Sequence, residues 1–349
     1  MSSHSSHSSH TLQRQAYEIA ACLVCGERHA DVLGEHDDFR AEVEALWEYH
    51  TARLRADVPP QRLADRVVFT EPPPRRLVRC RVCGLVYRNP VERGVTEAYA
   101  RSTPTHELLG RLFETQLPAA RTQARRIRDL LGRGGTGLEV GSYVGAFLVA
   151  ARDAGVSVVG VDVNPTINDF ARAGGAQVYD GELCDLPSRA DVDVVAIWNA
   201  FDQLADPRST AFEAWRRLRP GGLLALRVPN GAFYARVRGR LSGRGRAAAA
   251  LASTLLAQNN LLTFPYRWGF TPDSLRRLLL QTGFTVVRVR GDSLVRTSDE
   301  WTRPWARWEE RVVKRMIAMT VRLEAAWAPW FEVFATRDSG TADPSLRSG

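Results

Sequence analysis

The residues of this chain whose types and spacing can do chemistry are two cysteine pairs and one glycine turn flanked by acids. Cys22-Leu23-Val24-Cys25-Gly26 and Cys80-Arg81-Val82-Cys83-Gly84 are two CxxCG turns of the same build. Two residues between cysteines let both sulfurs face one ion while turn amides hydrogen-bond the thiolates, and the glycine takes the tight position after the second ligand. Two such pairs close a four-sulfur tetrahedron with no open position for water. The spacing therefore predicts a structural Zn2+ on Cys22, Cys25, Cys80 and Cys83, whereas four incidental cysteines would not share it.

The second feature, Gly135 to Leu148, contains Leu138-Glu139-Val140-Gly141-Ser142-Tyr143-Val144-Gly145. It reads as a short buried strand, a glycine turn and a helix. That is how a doubly wound α/β fold opens, with turn amides and a helix N-terminus converging on a ligand beyond the carboxyl ends of the strands. Glu139 stands where a dinucleotide fingerprint requires glycine, and a carboxylate there repels a pyrophosphate. NAD and FAD are thereby disfavoured. A carboxylate suits a ligand with positive charge, and S-adenosylmethionine has both an ammonium group and a sulfonium. Asp162 closes the apolar run from Val156, 21 residues after Gly141, where a carboxylate can accept from both ribose hydroxyls. The expected cofactor residues are Glu139, Gly141, Ser142, Gly145, Asp162 and Val163, with Asp185 and Leu186 of a later loop and Asn199 at a later strand end.

These residues need a scaffold, and the flanking pattern supplies one. Strands at 176–179, 191–199, 223–228, 284–289 and 330–336 alternate with helices, the run at 191–199 being almost continuously apolar, as in a strand covered on both faces. The expected fold class is α/β: a Rossmann-like, seven-stranded, mostly parallel sheet with helices on both faces and the last strand inserted antiparallel. A small N-terminal zinc ribbon precedes it. The ribbon carries a helical insertion, with Phe39, Val43, Leu46, Trp47 and Leu54 along one stripe, followed by a short strand at 67–69. In order, the expected units are a disordered Ser/His-rich tail (1–19), the ribbon (20–100), a connecting helix (101–132) kinked near Pro118, and the cofactor-binding domain (133–337). An insert at 229–270 suits a lid or an anchored surface loop, and a disordered tail (338–349) ends the chain.

With 44% hydrophobic residues in 349, a large core and a smaller unit can both form. The formal charge of +8 is almost all arginine, spread throughout, which weakens it as a nucleic-acid footprint. No run of about 18 apolar residues spans a bilayer, and no apolar leader follows the start. The five cysteines then imply a reducing cytoplasm, where paired thiols more often bind metal than form disulfides.

From about Ala21 to Arg337 the sequence resembles class I S-adenosylmethionine-dependent methyltransferases that carry an N-terminal zinc ribbon. The resemblance rests on the paired knuckles with Cys83-Gly84-Leu85-Val86-Tyr87-Arg88-Asn89-Pro90, the Leu138 to Gly145 turn and Gly160-Val161-Asp162. It extends through Asp206-Pro207, Leu218-Arg219-Pro220-Gly221-Gly222, Val228-Pro229-Asn230, and Gly269-Phe270-Thr271-Pro272 with Gly283-Phe284. It implies cofactor-binding roles for Glu139, Gly141, Gly145 and Asp162, with Asp185 facing adenine. Many relatives place Glu-His after the fourth strand; here Asp202-Gln203 stands there, so that histidine base is absent.

Methyl transfer needs in-line positioning first and a base only for some acceptors. Asp202, Tyr143, His106 and Tyr266 are the candidate bases. Three functions compete: a methyltransferase acting on a small molecule such as a sugar, nucleotide-sugar or secondary-metabolite intermediate; an RNA methyltransferase using the ribbon and the arginines from Arg236 to Arg246; and a non-catalytic scaffold. The arginine cluster is short, and a scaffold needs neither Glu139 nor Asp162. The first is therefore preferred.

Overall fold

A computed structural model describes residues 17–65, 72–187, 191–240, 246–259, 261, 267–293, 298–321 and 327–338. Tyr266, the expected strand at 67–69, the Ser/His-rich repeat and the last eleven residues lie outside these ranges.

The ribbon begins with β1 (Tyr17–Glu18), β2 (Ala30–Glu35) and α1 (His36–Thr51). A capping box between Glu35 and Asp38 starts α1, and Phe39, Leu46 and His50 form its buried stripe. Leu54 lies beyond the helix, bridged to Thr302. After β3 (Arg76–Cys80), β4 (Val86–Arg88) and β5 (Val91–Glu92), α2 (Val95–Ala100) leads to α3 (His106–Leu131). The expected kink does not break α3, which continues through Pro118. Pro118 and Glu114, four residues earlier, are both exposed, so the carbonyl that loses its amide partner sits on the solvent side.

The main sheet contains β6 (Gly135–Val140), β7 (Val156–Asp162), β8 (Val178–Asp180), β9 (Val192–Trp198) and β10 (Leu218–Pro229). Their connecting helices are α4 (Ala146–Asp153), α5 (Pro165–Ala173) and α6 (Pro207–Arg217). Next come α7 (Gly231–Arg238), α8 (Arg246–Ala257), β11 (Trp268–Gly269), α9 (Pro272–Gln281), β12 (Phe284–Asp292), α10 (Pro304–Val321) and β13 (Trp330–Arg337). The seven-stranded order is β12-β13-β10-β9-β6-β7-β8. Strands β6 to β10 run parallel, and β13 lies antiparallel between β10 and β12. All seven residues of β9 are buried, because α3, α4 and α5 cover one face of the sheet while α6, α9 and the ribbon cover the other.

The ribbon is built into this body. Its sheet runs β11-β4-β3-β2, so two residues of the insert form its edge strand. Cys22, Cys80, Leu85 and Tyr87 share one apolar cluster with Leu138, Leu226 and Phe270 of the cofactor-binding unit. The described parts of the insert at 229–270, for which a lid and an anchored surface loop were both expected, pack against the ribbon. Helices α7 and α8 bury Phe233, Val237 and Leu256 against Phe39 and Leu46 of α1, and Arg238 pairs with Glu42 at 2.7 Å. Each segment covers an apolar face that the other would leave wet. Among the described residues, no helix is long and apolar enough to cross a membrane.

Candidate functional site

The cysteine cluster is built from two local turns. Gly26 and Gly84 adopt left-handed φ values of 74° and 73°, letting their amides fold back on the Cys22 and Cys80 carbonyls at 2.8 and 3.0 Å. The four sulfurs lie within 4.8 Å of one another. A tetrahedron of sulfurs about 2.3 Å from a central ion has edges of about 3.8 Å, so the donor set fits Zn2+. The neighbouring Cys83 sulfur first and burial second push the Cys22 thiol up, while the Cys25 and Val24 amides favour its thiolate.

The glycine turn after β6 is the second centre. Gly141 has φ 70°, and a Cβ there would come within 2.6 Å of the Ala200 Cβ, so only glycine fits. Tyr143, a non-glycine residue, is held at φ 48°. Such conformations persist where the surroundings over-determine them, and the Tyr143 amide donates to Asp162 Oδ2 at 3.0 Å. Asp162 Oδ1 accepts from the Asn164 amide at 3.0 Å. The Tyr99 hydroxyl spans both carboxylate oxygens at 3.1 and 3.2 Å. Burial still pushes the Asp162 carboxyl above its ordinary range, against these donors.

Glu139 is only 3% exposed, and among the described residues its Oε2 has no hydrogen-bond partner. Burial first, and the Asp162 charge second, push its carboxyl well above the usual value. Two buried acids on adjacent parallel strands, one with an orphaned oxygen, accommodate a cationic ligand that also offers hydroxyl donors. The residues present therefore fit the expected cofactor.

The structure brings Glu139, Gly141, Ser142, Tyr143, Gly145, Asp162 and Val163 around this turn. Ser142 is buried with an orphaned Oγ, and Gly145 caps α4. Asp185 is exposed in a single helical turn after β8, where its side chain accepts the Glu182 amide at 2.8 Å. Leu186 is half-buried beside it, and its carbonyl accepts from Arg217 at 3.0 Å. Asn199 has φ 58° at the end of β9 and accepts from the Arg227 guanidinium.

The three described candidate bases sit on separate elements. Asp202 is 1% exposed in the seam with the ribbon, its carbonyl accepting the amides of Arg267 and Trp268. His106 is exposed at the start of α3, its ring edge-on to Phe170. Burial and Asp162 push the Tyr143 phenol up to about 12, so it keeps its proton at neutral pH.

Sequence reasoning missed Tyr99 and the strap that holds it. Asn164 donates to the Tyr99 carbonyl at 2.7 Å and to the Ser102 carbonyl and hydroxyl at 3.0 and 2.9 Å, fixing the segment after α2 over the end of β7. No local motif marks Tyr99. Asn164-Pro165 was the available signal, but by itself it announces only a helix start.

A family model described as a methyltransferase domain matches residues 113–289, just over half of the chain. No curated protein matches. Similar solved structures include a SAM-dependent methyltransferase from Archaeoglobus fulgidus, 18% identical over 67% of this chain and 100% of that chain, with a TM-score of 0.43. Others come from Thermotoga maritima, 16% identical over 66% and 91%, TM-score 0.40, and from Mesorhizobium loti, 18% identical over 64% and 98%, TM-score 0.41.

Proposed function

This chain belongs to the methyltransferase-domain family and is an S-adenosylmethionine-dependent methyltransferase, and from that premise we propose that its acceptor is a small molecule and that Cys22, Cys25, Cys80 and Cys83 hold a structural Zn2+. The observation that carries the site assignment is the buried pair Glu139 and Asp162 at the carboxyl ends of β6 and β7. Glu139 faces the cofactor's ammonium group, Asp162 its ribose hydroxyls, and Asp185 with Leu186 its adenine. Gly141, Ser142 and Gly145 let the backbone approach closely, and Val163 and Asn199 border the site. When bound, the cofactor supplies an electrophilic methyl group on a sulfonium. The chain's own work is to position the acceptor in line and to exclude water.

A small acceptor is favoured over RNA by what the insert's arginines do. Arg238 is committed to Glu42, and Arg236 lies 4.2 Å over the Trp327 ring. Fewer remain to form a phosphate track. Calorimetric titration with S-adenosylhomocysteine tests the assignment: one micromolar site per chain is expected, and absence of binding to zinc-loaded protein would overturn it.

The raised Glu139 carboxyl must ionise to hold an ammonium group, so S-adenosylhomocysteine affinity should rise with pH from the ordinary carboxylate range toward neutrality, with a proton released on binding. Titration in buffers of different ionisation heat reads that proton, and heat independent of buffer would contradict the role. Tyr99 occupies the oxygens that ribose needs. Tyr99→Phe should tighten S-adenosylhomocysteine about threefold to tenfold, at a cost to folding of about 1 kcal/mol; weaker binding would instead make the phenol a ligand of the bound cofactor.

A further inference from the structure

A second buried polar cluster lies farther along the carboxyl edge of the sheet. Arg227 is the register partner of Trp198 on β9 and of Glu332 on β13, so the three side chains leave the same face of the sheet side by side. It is the face covered by α3, whose Arg126 reaches Glu332 at 2.5 Å. All three are buried, and among the described residues each has one polar atom with no partner: Trp198 Nε1, Arg227 Nη2 and Glu332 Oε1. The rest of the Arg227 guanidinium is pinned. Nε donates to Asp292, Nη1 donates to Asn199, and Cζ lies 4.3 Å from the Trp330 ring centroid. Lys314, the only lysine in an arginine-rich chain, pairs with Glu310 at 2.8 Å, close enough for the charges of Arg227 and Asp292 to act on it.

An unpartnered buried polar group costs about 1–3 kcal/mol, and native proteins leave few. Three in one row among the described residues, at the edge where open α/β sheets bind ligands, suit one ligand that meets them together. Arg227 and Glu332 carry opposite charges on paired positions, yet no ion pair joins them among the described residues. A hydroxyl, which accepts from Nη2 and donates to Oε1, would join them. The sign of the cluster narrows the class further. Arg126, Arg227 and Lys314 balance Asp292, Glu310 and Glu332, so a charged group added here would be an uncompensated buried charge.

We infer that Trp198, Arg227 and Glu332 form the acceptor subsite and take an uncharged, hydroxyl-bearing portion of the acceptor, Trp198 and Arg227 donating to it and Glu332 accepting from it. The assignment rests on the methyltransferase function proposed above and names its substrate class.

The test uses the full, zinc-loaded chain, methyl-labelled S-adenosylmethionine and three acceptor sets: methyl glycosides with sugar nucleotides, carboxylic acids, and primary amines. Label should enter the first set. Trp198→Phe and Glu332→Gln should each raise the acceptor KM by at least about tenfold with kcat within about threefold, while S-adenosylhomocysteine affinity stays constant. If Glu332→Gln fails to fold, Trp198→Phe decides, since it removes one N–H and keeps a ring. Label entering only acids or amines, or none of the sets while S-adenosylhomocysteine binds, overturns the subsite. So does an unchanged KM with altered melting, the mark of a trapped structural water. Failure of the wild type to bind S-adenosylhomocysteine would overturn the cofactor site itself, a separable result.

Discussion

Asp162→Asn should weaken S-adenosylhomocysteine binding by about two orders of magnitude while leaving the chain folded. The carboxylate lies at the end of β7, 4% exposed, and its two oxygens are already aimed by the Tyr143 and Asn164 amides. A ribose adds two hydroxyl donors, and hydrogen bonds to a charged group contribute about 1.5–3 kcal/mol each. Asparagine loses the charge and turns an NH2 toward one of the backbone donors. A loss near 3 kcal/mol corresponds to about a hundredfold in affinity. Calorimetry gives the affinity and a thermal melt reports folding. Unchanged binding in folded protein would remove the ribose role from Asp162 and with it the placement of the cofactor.

The second large effect concerns the metal. Purified protein should contain about one zinc per chain, and stripping it should lower the melting temperature by more than about 10 °C, because a four-thiolate site contributes its binding free energy to folding. The effect should extend beyond the ribbon. Cys22 and Cys80 pack in the same cluster as Leu226 and Phe270, and β11, from the insert, pairs with β4 of the ribbon sheet. Trp268 stacks on Tyr87 with ring centroids 6.1 Å apart, so its fluorescence should shift on metal removal. Cys80→Ser should reproduce the loss. Protein isolated without metal that melts at the same temperature would show that the sulfurs pack without an ion.

What could be read in the sequence is what is local. A CxxCG turn closes over five residues, and its spacing is dictated by the distance between two sulfurs on one ion. The glycine turn and its acids follow from strand period and backbone clearance, so Glu139, Gly141 and Asp162 stood out without a fold. The alternation of strands and helices likewise implied the parallel sheet and the late antiparallel strand. What the tertiary structure decided is what joins distant positions. Tyr99 meets Asp162 across 63 residues, and two residues of the insert complete a ribbon more than 170 residues earlier in the chain. The insert rests on α1 because two amphipathic faces needed each other, although its composition alone allowed a lid. Trp198, Arg227 and Glu332 become neighbours only once β13 slots between β10 and β12. Strand order and register are settled by the burial of whole faces, and no short stretch of sequence encodes that.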